Sequence, residues 1–323
     1  NKGVTYEQAK EQALGDYMYY ACLMVKAGDA DGVVSGACHS TANTLRPGLQ
    51  VIKTAPGINT VSSSFVMVAP KENKYNPDGV AVFADCAINI EPDAGQIADI
   101  AISSAETAKN IALIEPRVAM LSFSTMGSGN DDKFFKSVPK MQEATALAKA
   151  AAPDLKLDGE FQFDAAVAPE VGKLKAPDSS VAGNANVFIF PNINAGNIGY
   201  KIAQRFGGYM ALGPICQGFA KPINDLSRGC SADDVIAVVA IILLICAGYV
   251  KAPPDKAYII SGYRKEPRIL IGRAGIKIPF LERKDNLIVK QITVDIKTNG
   301  YIPTLDFIGV DIDAVAKIRV KTE

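Results

Sequence analysis

Apolar and polar positions follow two different patterns along the chain. Up to about residue 234, short apolar runs of strand length alternate with longer segments in which apolar residues recur at helical spacing. After the proline pair at 253–254 the helical spacing disappears, and runs rich in Ile and Val partly alternate with polar residues. The first pattern predicts an α/β fold with mostly parallel strands, and the second predicts a β-rich segment.

The boundaries of the predicted elements follow from caps, turn residues and apolar runs. A capping box at Thr5 and Gln8 predicts a helix that continues to about Lys26. Further helices are predicted after residue 41, over 96–110, after Asp132 and over 201–206, between strands at 31–36, 64–69, 82–85, 117–122, 161–163 and 187–190. In the C-terminal part, strands are predicted within 256–262, 268–280, 286–297 and 308–320.

Three turns of small polar residues, at 36–41, 124–129 and 194–199, each precede a predicted helix. Loops at the carboxyl ends of strands are where open α/β sheets bind ligands, and backbone N–H groups at a helix start attract anions. Gly/Ser turns before helices are common, so each turn taken alone is more often an ordinary helix entry. The three turns are therefore candidate anion sites.

The segment 224–234 carries a denser set of chemical groups. Arg228 has the planar guanidinium group that suits a phosphate, and the hydroxyl group of Ser227 can donate to the same oxygens. Asp233 and Asp234 follow Ser231, so they also fit a helix N-cap with first-turn carboxylates that the helix dipole favours. Both interpretations stay open, because a carboxylate at a helix start can also face a ligand.

Composition narrows the class of protein. The 34 Lys and Arg residues balance 34 Asp and Glu residues, so no basic surface for nucleic acid is indicated. The six cysteines form no CxxC pair, and His39 is the only histidine. These counts argue against a histidine-rich metal site, and against a Ser-His or Cys-His nucleophile unless His39 itself serves. No secretory signal follows Asn1, so a cytoplasmic protein with reduced thiols is expected.

Several segments, in order, resemble the phosphate acetyltransferase family over about residues 1–234. The matching segments are DGVVSGA (31–37), STANTLRP (40–47), SFSTMGS (122–128), FDAAVAP (163–169), GNANVFIFP (183–191), NAGNIGY (194–200) and KPINDLSRG (221–229). Members of this family move an acetyl group between coenzyme A and inorganic phosphate. The resemblance implies direct transfer in a ternary complex, with coenzyme A as a substrate and no tightly bound cofactor.

The resemblance also implies roles for individual residues. Asp234 is expected to take the thiol proton, while Arg228 and Ser227 bind phosphate and stabilise the tetrahedral transition state. Phosphate and acetyl contacts are expected from four residues of the first two turns and the helix after 41: Arg46, Ser40, Thr41 and Ser128. Contacts with coenzyme A are expected from Asn194, Gly196, Asn197, Gly213, Gln217 and Cys230. Neither Cys38 nor Cys230 needs to form an acyl-enzyme, and a homodimer is implied.

The family fold, which is isocitrate dehydrogenase-like, implies two α/β domains. A first domain is expected to comprise 1–58 and 214–235, and a second domain to comprise 59–213. The resemblance places a further N-terminal part, with another phosphate-binding arginine, before Asn1. We therefore expect a first domain that lacks its N-terminal part, and this loss weakens the case for activity.

The segment 235–250 contains no charged residue and is followed by a second resemblance. The runs KAPPDKAYIISG (251–262), RILIGRAGIKIPF (268–280), TVDIKT (293–298) and YIPTLDFIGV (301–310) resemble the start of a flotillin-type SPFH domain. This family implies membrane contact through 235–250, although sixteen residues are short for a span of roughly 20 and also suit a buried core helix. The alternatives to the enzyme are therefore a non-catalytic membrane scaffold, or an inactive fusion of two fragments.

Overall fold

The structure is a computed structural model of the chain. It describes residues 3–36, 38–71, 73–129, 136–226, 230, 232–253, 256–262, 267–272, 274–278, 281–289, 292–297, 302–303, 309–310 and 313–318. The chain divides into two compact units, Asn1–Leu243 (unit 1) and Leu244–Glu323 (unit 2).

Unit 1 contains nearly all of the helices and the first eight strands of the described residues. The helices are α1 (Tyr6–Gly15), α2 (Tyr17–Ala27), α3 (Thr41–Pro47), α4 (Ala94–Asn110), α5 (Ser137–Ala151), α6 (Phe163–Val167), α7 (Pro169–Lys175), α8 (Ile193–Arg205) and α9 (Ala232–Gly248). A π-helical turn, Gly48–Ile52, follows α3. The strands are β1 (Val33–Ser35), β2 (Ser62–Val68), β3 (Val80–Ala84), β4 (Val118–Leu121), β5 (Leu157–Phe161), β6 (Val187–Ile189), β7 (Met210–Gln217) and β8 (Ile223–Asp225).

A six-stranded sheet of order β5-β4-β6-β3-β2-β7 forms the centre of unit 1. The pairs β4–β5, β4–β6 and β3–β6 are parallel, whereas β2 runs antiparallel to both β3 and β7. Val66 and Val82 pack against α4 and α5 on one face, and Phe65 and Phe83 pack with residues of α6 and α8 on the other. Strands covered by helices on both faces read as continuous apolar runs, which is the pattern the sequence shows. The predicted α/β class is confirmed.

Unit 1 also contains a two-stranded sheet. Strands β1 and β8 form a parallel pair, covered by a core that includes Met18, Cys22 and Val25 of α2 together with Ile52 and Ile223. Cys216 and Gln217 pair with Ser63 and Ser62 of β2 in the large sheet. The return to the first domain at 214 stays a prediction.

Two boundaries differ from the sequence prediction. The helix predicted from Thr5 to Lys26 is broken at Asp16, whose carboxylate accepts a hydrogen bond from the Met18 N–H (2.8 Å) and so caps α2. Phe163 begins α6, whereas a strand was predicted there; β5 ends at Phe161.

The apolar segment 235–250 lies mostly within α9. This helix ends at Gly248, and Tyr249–Lys251 forms the next strand, so the helical part is shorter than predicted. Val238 is 1% exposed, in agreement with a core helix. Among the residues that the structure describes, no helix combines the length and hydropathy that crossing a membrane requires.

Unit 2 is built from short strands, as the C-terminal pattern predicts. They are β9 (Tyr249–Lys251), β10 (Lys256–Gly262), β11 (Arg268–Ile271), β12 (Ala274–Ile276), β13 (Glu282–Ile288), β14 (Ile292–Lys297), β15 (Ile302–Pro303), β16 (Gly309–Val310) and β17 (Asp313–Ile318). Strand β10 lies between β11 and β13, and each pairing among the described strands of this unit is antiparallel. A small core contains Ala252, Ile260 and Leu270.

Candidate active site

The parallel pair β1–β8 brings two predicted site segments to one edge. Ser35 lies opposite Asp225, and the N–H of Leu226 donates to the carbonyl oxygen of Ser35 (2.6 Å). The turn after β1 and the segment after β8 therefore leave the strand pair side by side, at carboxyl ends, where open α/β sheets bind ligands. The grouping of the 36–41 turn with the segment that begins at Ser227 stays a prediction, because 227–229 lie outside the described residues.

The turn after β1 leads directly into α3. Ser40 is the N-cap of this helix, and its hydroxyl oxygen accepts from the Asn43 N–H (3.3 Å). Thr41 is the first helical residue and is half-buried, while Arg46 lies exposed in the last turn. The helix-entry interpretation of Ser40 is therefore correct, and its hydroxyl group still has a proton to donate.

The segment after β8 contributes a buried carboxyl group. Asp225 is 4% exposed, and burial raises its pKa, although hydrogen bonds from the hydroxyl groups of Thr41 and Thr44 favour the ionised form. Ser227 and Arg228 lie outside the described residues, and Cys230 is half-buried. Asp234 is the third residue of α9, and its side chain is also outside the described part.

The turn at 124–129 does not offer free donors to an external anion, and this prediction is wrong. Each of its six backbone N–H groups already has an acceptor: those of Ser124, Thr125, Met126, Gly127, Ser128 and Gly129. The acceptor for Gly127 is the carboxylate of Glu160 (2.7 Å), which is 1% exposed and also accepts from the Ser124 hydroxyl (2.7 Å). A carboxylate of the protein therefore occupies the place that the sequence suggested for a ligand. Ser128 remains exposed, and its hydroxyl oxygen accepts from the Thr125 N–H.

Replacing Glu160 by alanine should destabilise the protein by about 3 kcal/mol, because the buried Ser124 hydroxyl and the half-buried Gly127 N–H would lose this acceptor at about 1–3 kcal/mol each. Glutamine retains one side-chain oxygen and should cost less. Urea unfolding followed by circular dichroism measures both variants. Glu170→Ala, which removes an exposed carboxylate paired with Lys74, is the matched control and should stay within about 0.5 kcal/mol of the wild type. Equal losses of stability in Glu160→Ala and Glu170→Ala would refute the role of Glu160 as a buried hydrogen-bond acceptor.

The turn at 194–199 forms the start of α8 and packs against the end of β3. A side chain on Gly196 would place its Cβ 2.2 Å from the carbonyl oxygen of Asp85, so only glycine allows this approach. The amide of Asn197 donates to the carbonyl oxygen of Cys86 (3.0 Å), and Asn194 is exposed. Of these predicted residues, Asn194 is the one whose side chain is open to solvent.

The two predicted residues in β7 differ in environment. Gly213 lies in the middle of the strand, whereas Gln217 near its end is 7% exposed. The amide of Gln217 donates to the hydroxyls of Ser62 (2.9 Å) and Ser104 (2.8 Å) and accepts from Thr107 (2.8 Å). Because this buried network occupies the amide, the side chain of Gln217 joins β7 to β2 and α4 and is not free to contact a ligand.

An apolar cavity of about 1110 Å³ lies at the carboxyl ends of β4 and β6, and the sequence prediction missed it. Its lining includes five phenylalanines, Phe83, Phe123, Phe163, Phe190 and Phe206. Phe190 directly follows β6, and Phe123 and Phe163 lie two residues beyond the ends of β4 and β5, which is the signal that the sequence contained. The ion pair between Lys140 and Glu91 lies at the same cavity.

Comparison with known proteins gives the relationship directly. The family model described as phosphate acetyl/butaryl transferase matches residues 1–243. The chain belongs to this family. It is 54% identical over 241 residues to a phosphate acetyltransferase of Clostridium acetobutylicum, covering 75% of this chain and 71% of the relative. It is 56% identical over 234 residues to a phosphate acetyltransferase of Bacillus subtilis, covering 72% and 69%.

A solved structure gives the same result for the fold. A phosphotransacetylase from Streptococcus pyogenes superimposes with a TM-score of 0.68 at 53% identity, covering 75% of this chain and 70% of that one. The match to the phosphate acetyl/butaryl transferase family ends at residue 243, where unit 1 ends. The expected end at Asp234 was therefore too early, because the apolar first half of α9 belongs to the acyltransferase unit.

Proposed function

We propose that the chain catalyses the reversible reaction of acetyl phosphate with coenzyme A, which gives acetyl-CoA and inorganic phosphate. The observation that carries this proposal is family membership over 243 residues, with identities of 54% and 56% to proteins named phosphate acetyltransferase. The scaffold alternative has no comparable support.

We propose the edge of the β1–β8 pair as the phosphate and acetyl site. Asp234 takes the proton from the coenzyme A thiol, while Arg228 and Ser227 bind the phosphate and stabilise the charge of the tetrahedral transition state. Thr41, Ser40 and Arg46 contact the phosphate from the neighbouring turn and helix. The register of Ser35 with Asp225 supports this grouping, since it brings the two segments to one edge.

We propose direct transfer in which neither Cys38 nor Cys230 forms an acyl-enzyme, as the family resemblance implies. Burial raises the pKa of Cys216 to about 12 and raises that of Cys86 as well, so both stay protonated near neutral pH and are poor nucleophiles. We propose that coenzyme A lies along Asn194, Gly196, Asn197, Gly213 and Cys230. Gln217 supports this surface through its buried hydrogen bonds.

The proposal is tested with the purified full chain. Acetyl-CoA and phosphate are supplied in a buffer without arsenate, and the release of free thiol is followed with a thiol reagent. A sample that lacks phosphate is the control. Phosphate-dependent thiol release supports the proposal. A folded sample, verified by circular dichroism, that releases no thiol above the phosphate-free control overturns it.

For unit 2 we propose an SPFH-like β domain at 251–323. The sequence resemblance carries this proposal, and the antiparallel strands of unit 2 are compatible with it. The cytoplasmic location likewise remains a prediction. No step of the proposed reaction uses unit 2.

We further propose a homodimer whose interface is the exposed apolar side of α8. Ile198, Ile202 and Phe206 recur at spacings of four residues and are 57%, 52% and 91% exposed. Met210 and Phe123 are also exposed, at 61% and 62%. Large apolar side chains at helical spacing on an exposed face are typical of a protein interface. A second copy of this chain is the occupant that the family resemblance implies.

Phe206→Glu should convert the dimer to a monomer, because each interface would then bury two uncompensated carboxylates. Sedimentation velocity over a range of protein concentrations measures the oligomeric state. Leu147→Glu, on α5 at the opposite face of the sheet, introduces the same charge at a partly exposed leucine and should leave the dimer intact. A monomeric wild type, or a dimeric Phe206→Glu variant, would contradict the proposal.

A further inference from the structure

Asp85 directly follows β3, at the carboxyl end of this strand, and no step of the reaction proposed above uses it. Its side chain is 2% exposed, and its two carboxyl oxygens accept five hydrogen bonds. The donors are the hydroxyl group of Ser63, the backbone N–H groups of Ala87 (2.9 Å), Ile88 (3.2 Å) and Asn89 (2.9 Å), and the side-chain amide of Asn89 (2.6 Å). A buried carboxyl group with so many partners holds the chain around it in one arrangement, because each lost bond would leave a donor without its acceptor.

The loop 86–89 is therefore wrapped around the side chain that precedes it. Three consecutive backbone N–H groups converge on one point, an arrangement that in other proteins binds anions. Here the carboxyl group of Asp85 occupies that point, so these donors are not free for phosphate. The amide of Asn89 also donates to the carbonyl oxygen of Val61 (3.0 Å), which ties the loop to the start of β2. The loop is thus held both from inside and from the neighbouring strand.

The same loop supports the start of α8. The amide of Asn197 donates to the carbonyl oxygen of Cys86 (3.0 Å). The carbonyl oxygen of Asp85 lies against Gly196 so closely that a side chain there would not fit. An asparagine amide carries two N–H bonds and one oxygen, so the bond to Cys86 orients the amide of Asn197 without using its whole capacity for hydrogen bonds. The orientation of this amide therefore depends on where the loop holds the Cys86 carbonyl oxygen.

We propose that Asp85 is a positioning residue of the coenzyme A site. By holding the loop 86–89 it places the carbonyl oxygen of Cys86, and through this oxygen it orients the amide of Asn197 at the start of α8. This inference rests on the proposed function, because it takes Asn197 as a contact of coenzyme A. Asp85 acts through the loop and does not touch coenzyme A itself.

Asp85→Asn in the full chain is the first test. Each carboxyl oxygen of Asp85 accepts at least two hydrogen bonds, so an amide, which has one oxygen, leaves at least two donors without an acceptor. In the formation of acetyl-CoA, the KM for coenzyme A should rise at least about fivefold, and the KM for acetyl phosphate should stay within about twofold, because the start of α8 alone is displaced. Circular dichroism verifies that the variant is folded. A rise in the KM for coenzyme A below fivefold, or an equal rise of both KM values, would overturn the proposal.

A double-mutant cycle tests whether Asp85 acts through Asn197. Asn197→Ala should itself raise the KM for coenzyme A. If Asp85 orients this amide, adding Asp85→Asn to Asn197→Ala should raise the KM less than about twofold further, because the two changes remove the same contact. Fully additive effects would show that Asp85 stabilises the fold without orienting Asn197, and they would overturn the proposal.

Asn89→Ala decides the question if Asp85→Asn does not fold. It removes the side-chain bonds to Asp85 and Val61 and keeps the three backbone bonds of the loop. The KM for coenzyme A should rise at least about threefold, again less in the Asn197→Ala background than in the wild type. An unchanged KM for coenzyme A in a folded Asn89→Ala variant would contradict the role of the loop.

The matched control is Asn186→Ala. Asn186 is as buried as Asp85, at 2% exposure, and its side chain accepts from the Arg117 N–H (2.8 Å) and donates to the Glu115 carbonyl oxygen (2.9 Å). It directly precedes β6, at the amino end of the strand, whereas the loop 86–89 lies at a carboxyl end. This variant should lower stability without changing the ratio of the two KM values. A ratio that changes as much as in Asp85→Asn would mean that any loss of buried hydrogen bonds has this effect, which would overturn the proposal.

Calorimetric titration with coenzyme A separates this inference from the proposed function. If the wild type binds coenzyme A but forms no acetyl-CoA, the proposed function fails, and the positioning role is decided by whether Asp85→Asn weakens the Kd for coenzyme A at least about fivefold. If the wild type is active and Asp85→Asn keeps its affinity for coenzyme A, the positioning role fails and the proposed function stands. A wild type that binds no coenzyme A overturns both.

Discussion

Replacing Asp234 by asparagine should lower the rate of acetyl transfer by about 10²–10⁴-fold, the usual contribution of a general base. In the direction of acetyl-CoA formation, the amide cannot take the thiol proton, so the weak thiol nucleophile must attack without help. Asp234 lies in the first turn of α9, a position that the helix dipole favours for acidic residues. Because an enzyme does not alter the equilibrium, kcat/KM should fall by the same factor in both directions.

Asp233 provides a matched control in the same helical turn. Asp233→Asn makes the same change of charge one residue away, so it reports any general loss of helix capping or of local potential. Its rate should stay within a few-fold of the wild type. Thioester formation from acetyl phosphate and coenzyme A, followed by absorbance, measures both variants. Equal losses at 233 and 234 would show that the helix start matters as a whole, and would contradict a specific base at Asp234.

The sequence predicted the class of the fold because local patterns determine it. Apolar runs such as 82–85 and 187–190 became β3 and β6, which are covered on both faces, and Asp93 with Gln96 forms the capping box of α4. The reversed direction of β2 was not predictable in this way, since strand direction depends on partners far along the chain. Strand β7 was missed because Gly213 and Pro214 interrupt it with residues that normally break strands.

The candidate site, like the fold, could be predicted from the sequence only in part. The small polar residues at 36–41 do lie at the carboxyl end of a strand, and this was evident from their order along the chain. The turn at 124–129 is also rich in small residues, yet its backbone N–H groups donate to acceptors within the protein, including the carboxylate of Glu160. A carboxylate more than thirty residues away along the chain cannot be assigned to a turn by local pattern. Composition therefore identifies turns that can bind anions, and the fold decides which of them are free.

Replacing Gly36 by alanine should destabilise unit 1 by roughly 3 kcal/mol or more and abolish the organisation of the phosphate site. Gly36 has a φ of 106°, in the region that favours glycine, and its added Cβ would lie 2.3 Å from the Leu226 carbonyl oxygen and 2.5 Å from the Leu226 nitrogen. Backbone strain of about 1–3 kcal/mol and overpacking of about 1–3 kcal/mol act together here. Because the clashing atoms belong to the backbone, relief requires β1 and β8 to separate at their carboxyl ends.

Gly28→Ala isolates the steric part of this effect. Gly28 also has a positive φ, 94°, as the C-cap of α2, but a Cβ there would meet nothing within 4 Å. It should therefore cost only the conformational strain, about 1–2 kcal/mol. Urea unfolding followed in the helical band of circular dichroism gives both values, and phosphate titration shows whether Gly36→Ala loses binding while Gly28→Ala retains it. Equal costs and equal phosphate affinity would mean that the close approach of the two strand ends is not what holds the site together.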